Sequence, residues 1–501
     1  MDRKRHDFGS AVIRSVRRLV AVAATLLVTS AHVGSPDAWF EGAAGPYAVT
    51  VHIEAPPVVP GIAIVNVRAP DDGVDRVTAF VNTFDAEGGT PPPDELLPAP
   101  DRPGWRRASL WVMNAGSNRV TVDVYGSHGQ GSVVVPLAAV AQRRLAVSPT
   151  FAVMLVVVAG VLMAGMLTLV GAAVREGALD PGLQPDDLRR RRARFAMARA
   201  AVVVVLVLAG TTAWWRAEDR AFRERLYRPL SIATRVDTSS GSARFVLTIT
   251  DSTWSRRDDV ALLRARGEAP VTGLIDDHGK LMHLFLVAED GRSMAHLHPA
   301  TADTANFTSV LPPLPAGSYR VFGDIVQQSG FTQTLTSSVT VPDVPQTPAA
   351  LTDIDDSWAA GVDSSGTRVT LDDGTVLTWS RDPGQPVRSG EEAGLRFQVE
   401  GPPGDPAANE LYLGMPGHAA VVRDDGLVFI HLHPMGTISP AAQARLTPAT
   451  GVASGHAMSA GNATGSLNFP YAFPEPGRYT VWVQIKRNGR ILTGAFRVHV
   501  E

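Results

Sequence analysis

The sequence predicts a mainly β protein: three immunoglobulin-like β-sandwich domains, two transmembrane helices and an amino-terminal signal or anchor segment. Three observations carry this. Alternating apolar and polar residues between Pro and Gly breaks fill residues 41–148, 231–342 and 366–501, the pattern of short strands joined by turns. Two strongly apolar runs, 151–174 and 196–215, are each long enough to span a bilayer. A spacing His-x12-His-x-His occurs twice without a gap and takes six of the 13 histidines.

At the amino terminus Arg3, Lys4, Arg5, Arg14, Arg17 and Arg18 surround and precede an apolar run over 19–31, followed by Gly34, Ser35 and Pro36. Residues 1–40 therefore read as a secretory signal sequence, with Ala31 or Ala38 as its end, or as an uncleaved anchor. Within 41–148, strands are expected at 47–53, 62–68, 77–83, 109–113, 120–125 and 132–136, with a Pro-rich loop over 90–103. Residues 102–135, with Leu110-Trp111-Val112-Met113 and the run 120–126, resemble the small extracytoplasmic sandwich domains called YtkA-like. His52 and His128 stand alone and receive no role.

The apolar run 151–174 contains no charge; 196–215 contains Arg199 and ends in Trp214-Trp215, where an aromatic belt would lie. A buried core helix is the other reading of each. Between them, 175–195 carries Arg189-Arg190-Arg191-Arg192 and reads as a basic cytoplasmic loop. Arg216, Arg220, Arg223, Arg225 and Arg228 make the following flank basic as well, so the signal sequence decides the orientation. It sends the first sandwich out, and two spans bring the chain back to the same side. Residues 216–230 read as a membrane-proximal linker or short helix, and 343–365, rich in Pro, Asp and Ala, as a second linker.

The formal charge of −3 gives no electrostatic case for nucleic acid. The absence of cysteine removes disulfides, thiolate metal sites and cysteine nucleophiles.

The two histidine stretches are copies. Residues 283–299 carry His283, Asp290-Gly291, His296, His298 and Pro299; a shift of 135 positions (418 − 283) lands on His418, Asp425-Gly426, His431, His433 and Pro434. Asp-Gly between short apolar runs signals a hairpin. With a two-residue turn, facing residues sum to 581 in the first copy and 851 in the second, so His283 faces His298, Phe285 faces His296 and His418 faces His433. Side chains alternate along a strand, so each trio shares a face. Facing Cβ atoms lie roughly 5 Å apart, close enough for three imidazoles to meet one ion. The expected metal ligands are His283, His296 and His298 in one sandwich and His418, His431 and His433 in the other. The competing reading makes them ordinary strand histidines.

A second echo relates Gly317-Ser318-Tyr319 to Gly477-Arg478-Tyr479 at 160 positions (477 − 317), so the second copy holds about 25 extra residues (160 − 135) within 436–467. His456 and Met458 in that insertion are candidate further ligands. His278 corresponds to Leu413, has no counterpart in the second copy, and ranks below the repeated three. Imidazole suits zinc, copper and nickel, while the thioethers of Met282, Met294, Met415, Met435 and Met458 would favour copper. Alternation points Met282 away from His283.

His278-Gly279-Lys280-Leu281-Met282-His283-Leu284-Phe285-Leu286-Val287 with His296-Leu297-His298-Pro299 resembles a recurring module of uncharacterised bacterial secreted or membrane-anchored proteins. Gly414-Met415-Pro416-Gly417-His418 with His431-Leu432-His433-Pro434-Met435-Gly436 resembles its partner module. The resemblance covers 230–501 and implies an extracytoplasmic setting with metal or copper handling. Three functions follow in order. The first is a protein of the bacterial cytoplasmic membrane, its soluble domains on the extracytoplasmic (periplasmic) side, binding copper or zinc for handling or sensing, with a metal-donor or metal-acceptor protein as partner. The second is a structural or protein-interaction module. The third is a metalloenzyme, disfavoured because no catalytic spacing such as a serine elbow or His-Glu-x-x-His is present.

Overall fold

The computed structural model describes residues 32–33, 37–70, 73–84, 91–141, 147–177, 179–180, 182–224, 226–239, 241–252, 254, 273–343, 351–362, 366–404, 409–447 and 465–501. The signal segment over 1–31, and His456 and Met458, lie outside them. Among the described residues strand is the dominant element, 46% against 18% helix. Two compact units divide the chain: a β unit from the described residues of Met1–Pro56, Pro60–Ala139 and Pro229–Glu501, and a helical unit from Pro57–Val59 and Val140–Arg228.

The amino-terminal strands are β1 (Ala38–Ala44), β2 (Tyr47–Glu54), β3 (Gly61–Arg68), β4 (Val74–Thr83), β5 (Arg106–Val112), β6 (Gly116–Gly126) and β7 (Gly129–Ala139). All six expected strands are present. β1 begins inside the stretch read as signal sequence: its seven residues alternate too briefly to be recognised, yet Trp39 is buried. β1-β2-β3-β5 form one antiparallel sheet and β7-β6-β4 another.

In the helical unit, α1 (Pro149–Glu176) and α2 (Asp187–Glu224) are long and apolar enough to cross a membrane. Ser148 caps α1 by accepting from the Phe151 amide, which leaves the helix start satisfied. Both helices outrun the apolar stretches: residues 187–195, read as loop, are helical, and 216–224 follow the short-helix reading rather than the linker one, because Arg, Ala and Glu are good helix formers. Val156, Leu162, Leu169, Val203 and Leu206 are all exposed.

The remaining strands are β8 (Ile232–Asp237), β9 (Arg244–Ile249), β10 (His283–Ala288), β11 (Met294–Leu297), β12 (Asn306–Val310), β13 (Gly317–Gln327), β14 (Thr332–Val341), β15 (Val376–Trp379), β16 (Leu395–Glu400), β17 (His418–Arg423), β18 (Val428–Leu432), β19 (Ser466–Phe469), β20 (Gly477–Arg487) and β21 (Arg490–Val500). A short helix, α3 (Pro440–Leu446), follows β18. The duplication is structural as well as sequential. β14-β13-β10-β11 and β21-β20-β17-β18 have the same order and direction. Tyr319 and Tyr479 each donate to the backbone oxygen four residues back, at Pro315 and Glu475. His278 and Leu413 both have left-handed backbone, φ 54° and 51°, each followed by a glycine of like hand, so the turn before each histidine strand is the same.

The hairpin registers are the expected ones. Phe285 faces His296 and Leu284 faces Leu297; Ala420 faces His431 and Ala419 faces Leu432. Alternation then divides the side chains. Met282, Leu284 and Leu286 join a core with β9, β12 and β13, and Val421, Ile430 and Val481 join a second core with β15 and β16. The opposite faces are apolar too. Phe285, Val287, Met294 and Phe322 pack against Ala420, Val422, Phe429 and Trp482, so the two histidine sheets are pressed together across a third core. Phe322 stacks on Phe429 with centroids 4.2 Å apart. Every residue of β10, β11, β17 and β18 is consequently buried, and the histidines with them.

Candidate metal centre

Seven imidazoles meet at the end of this sheet-on-sheet interface. They arrive because His283 and Phe285 share a face of β10, and His418 and Ala420 a face of β17; the apolar members drive the sheets together and the histidines follow. The resulting groups differ from one trio per hairpin. His278, His418 and His433 bring ligand atoms within 4.8 Å of one another, and so do His283, His296 and His431. Both groups therefore draw on both copies. His298 belongs to neither, but its ring lies 4.7 Å from that of His296 and 5.1 Å from that of His283. His278 joins because its left-handed turn folds it across the interface, 5.6 Å from His418 and 5.2 Å from His433. Leu413, in the equivalent turn, has no imidazole to offer.

The hydrogen bonds fix which nitrogens carry protons. His283 Nε2 lies 3.2 Å from the Asp277 carbonyl oxygen, which can only accept, so this nitrogen bears the hydrogen. His296 Nδ1 lies 2.9 Å from Gln484 Oε1. Tyr412 gives its single hydroxyl proton to the Asp355 carbonyl at 3.0 Å, so at 3.1 Å from His296 Nδ1 it can only accept, and His296 Nδ1 is the donor. The remaining nitrogens, His283 Nδ1 and His296 Nε2, then both present lone pairs, and they face each other at 3.2 Å. Two lone pairs at that distance repel unless a cation lies between them. The separation is that of two ligands with bonds of about 2 Å at a near-tetrahedral angle.

The other rings repeat the arrangement. His298 Nδ1 donates to the buried Asp356 carboxylate at 3.1 Å, and His433 Nδ1 donates to the Ile438 carbonyl at 3.2 Å. His431 Nδ1 is 3.5 Å from Asp324 Oδ2. In each case the outward nitrogen is held and Nε2 of His298, His431 and His433 is buried without a partner, as are His278 Nε2 and both nitrogens of His418. An outer partner on one ring nitrogen and a free lone pair on the other is how metal-binding histidines are oriented.

Burial holds His283, His296, His418 and His431 well below the ordinary imidazole range, and neighbouring imidazoles add to the effect. His278 is lowered for the same first reason, and His433 falls to about 4. Neutral imidazole is the metal-binding form, so burial prepares the ligands at neutral pH. Burial also raises Asp324 to about 7, against the hydrogen bond from Thr334.

Several supporting residues carried no sequence signal. Asp356 and Ser357 lie in the stretch read as linker, where Ser357–Ala359 pairs with β11. Lys280 bridges Asp353 and Asp355, at 2.6 and 3.4 Å, and ties that stretch to the His278 turn. Tyr412 reaches His296 Nδ1 at 3.1 Å and donates to the Asp355 carbonyl. The methionines are less involved than their sequence proximity suggested: Met282 lies in the β9–β12 core and Met294 in the apolar interface.

The amino-terminal strands reach the site through the loop after His433. The Glu41 amide donates to Met435 at 2.8 Å, and the Thr437 amide to Trp39 at 3.0 Å. Gly436 has φ 119°, and a Cβ there would lie 2.1 Å from the Trp39 carbonyl oxygen. Gln443 of α3 donates to the Val134 carbonyl at 2.8 Å.

A family profile described as a domain of unknown function (DUF8832) matches residues 238–343 and 368–501. The first segment contains the first histidine hairpin and the second the other. No curated protein matches the chain. Among solved structures, an engineered protein is 24% identical with a TM-score of 0.15, over 19% of this chain and 21% of that one. Dimeric latent PorU from Porphyromonas gingivalis is 11% identical with a TM-score of 0.14, over 93% of this chain and 34% of that one. The chain thus spans well under half the length of either structure.

Proposed function

We propose that this protein is a membrane-anchored, extracytoplasmic metal-binding protein that handles or senses copper, with zinc as the alternative ion. The observation that carries the reading is the pair of lone pairs at 3.2 Å between His283 and His296, inside a buried group completed by His431. If the histidines were packing residues, each buried nitrogen without a partner would cost roughly 1–3 kcal/mol with nothing gained. An ion bound by those nitrogens removes the cost. All the ligands are neutral imidazoles, and burying a monovalent ion among them costs less than burying a divalent one. This favours Cu(I) as the resident state over zinc. The exposed apolar surfaces of α1 and α2 support anchoring in a bilayer, and the basic amino-terminal segment supports export of the β unit.

Titration of the detergent-solubilised full chain with Cu(I) and Zn(II) under metal-buffered conditions tests this. The expected result is about two ions per chain, with copper bound more tightly. Replacing His283 and His296 together by alanine removes one ion. Absence of binding above that of a histidine-free membrane protein would refute the proposal and leave the interface as a purely structural contact.

A further inference from the structure

We infer that the two three-histidine groups form one dinuclear centre, with two ions close enough to share a small bridging anion such as hydroxide. The inference rests on the metal-binding reading and adds how the ions are arranged. Sequence spacing suggested two separate sites, one per copy. The structure interleaves them.

The two groups touch at every side. His431 and His433 are two residues apart on and just after β18, belong to different groups, and have centroids 4.5 Å apart. His418 of one group lies 5.5 Å from His431 of the other, with the rings tilted by 31°. His278 and His283 meet edge to face at 6.1 Å. Imidazole thus contacts imidazole wherever the groups adjoin. Two nearby carboxylates stand behind the rings, Asp356 on His298 Nδ1 and Asp324 on His431 Nδ1, while Asp277 Oδ1 lies 3.9 Å from His278 Nε2. No carboxylate is a member of either group among the described residues. Two oxidised ions held by six neutral ligands in a buried space repel strongly. A small anion between them offsets that repulsion, and it would occupy the position that three protein ligands leave open on each ion.

Each group also needs a residue from across the interface, so neither copy holds an ion alone. The first hairpin gives His283 and His296, the second His431; the second gives His418 and His433, the first domain's turn His278. The centre therefore closes the interface as well as filling it.

Loading the full-length protein with Cu(II) and comparing elemental copper with the integrated electron paramagnetic resonance signal tests the pairing. The expected result is about two coppers per chain, both shown to be Cu(II) by the X-ray absorption edge, with far fewer than two spins, or a half-field transition from a coupled pair. Two coppers giving two full, isolated spins would overturn the dinuclear centre while leaving metal binding intact, and a single copper would overturn it likewise. No copper at all would overturn both this inference and the proposed function. The variant His278→Leu places in the first turn the side chain that Leu413 already supplies in the second, so the turn should fold. It is expected to bind one copper and to show close to one full spin. Retention of two magnetically silent coppers in that variant would refute the assignment of His278.

Discussion

Acidification of the metal-free protein should unfold it steeply, because the site is built from imidazoles that burial keeps neutral. His283, His296, His418, His431 and His433 all titrate below the ordinary 6.5, His433 at about 4. In the unfolded chain they take up protons near 6.5; in the folded protein they do not. The unfolded state therefore binds more protons below that pH, and stability is lost as pH falls from 6.5 towards 4. Asp324 works the other way: its folded value of about 7 exceeds the ordinary 3.8, so between these values the folded state holds one extra proton. His278 is lowered as well, so the net difference is at most six minus one, or five protons. At about 1.4 kcal/mol per proton per pH unit, the slope is at most about 7 kcal/mol per unit. One unit of acidification then removes much of the 5–15 kcal/mol that typically stabilises a domain. Urea unfolding of the chelator-treated full chain at pH 7.5, 6.5, 5.5 and 5.0, followed by near-ultraviolet circular dichroism of the buried interface residue Trp482, measures this. Adding the metal should raise the midpoint across this range without steepening its fall, since the folded ligands are already neutral and release no protons on binding. Stability unchanged between pH 7.5 and 5.0 would show that these histidines are already charged or solvated and would refute the tautomer argument.

Gln484→Met should weaken metal affinity about 10–100-fold by releasing His296 Nδ1, the scale usual for loss of a ligand's outer partner, as competition with a chelator of known affinity would show. Phe429→Ala should destabilise by about 3–5 kcal/mol and lower affinity at both groups, because Phe429 fills the apolar contact that brings the two hairpins together; calorimetry and titration of one preparation test both effects. Gly436→Ala should cost about 1–3 kcal/mol or more, since the added Cβ meets the Trp39 carbonyl, and should loosen the loop after His433. Limited proteolysis near Met435 would then increase, while an unchanged cleavage pattern would mean that the amino-terminal strands do not hold that loop.

The strand content, both hairpin registers, the two apolar helices and six of the seven clustered histidines were legible along the chain, because each is set by local period and turn chemistry. Alternation about Asp290-Gly291 and Asp425-Gly426 fixes which histidines share a face, and the structure keeps those faces. How the faces combine was not legible. Phe285, Val287, Val422 and Phe429 are apolar on the side that a sequence reading leaves for ligands and solvent, and only the packing of one sheet on the other explains them. The same packing exchanges partners between the copies, recruits His278 from a turn without an equivalent, and brings Asp356 and Gln484 behind rings far from them in sequence. The sequence alone determined that these imidazoles would lie on two β faces. The tertiary structure decided that the faces meet, because burying two apolar surfaces against each other lowers the free energy more than exposing either, and the histidines are carried into one buried cluster with them.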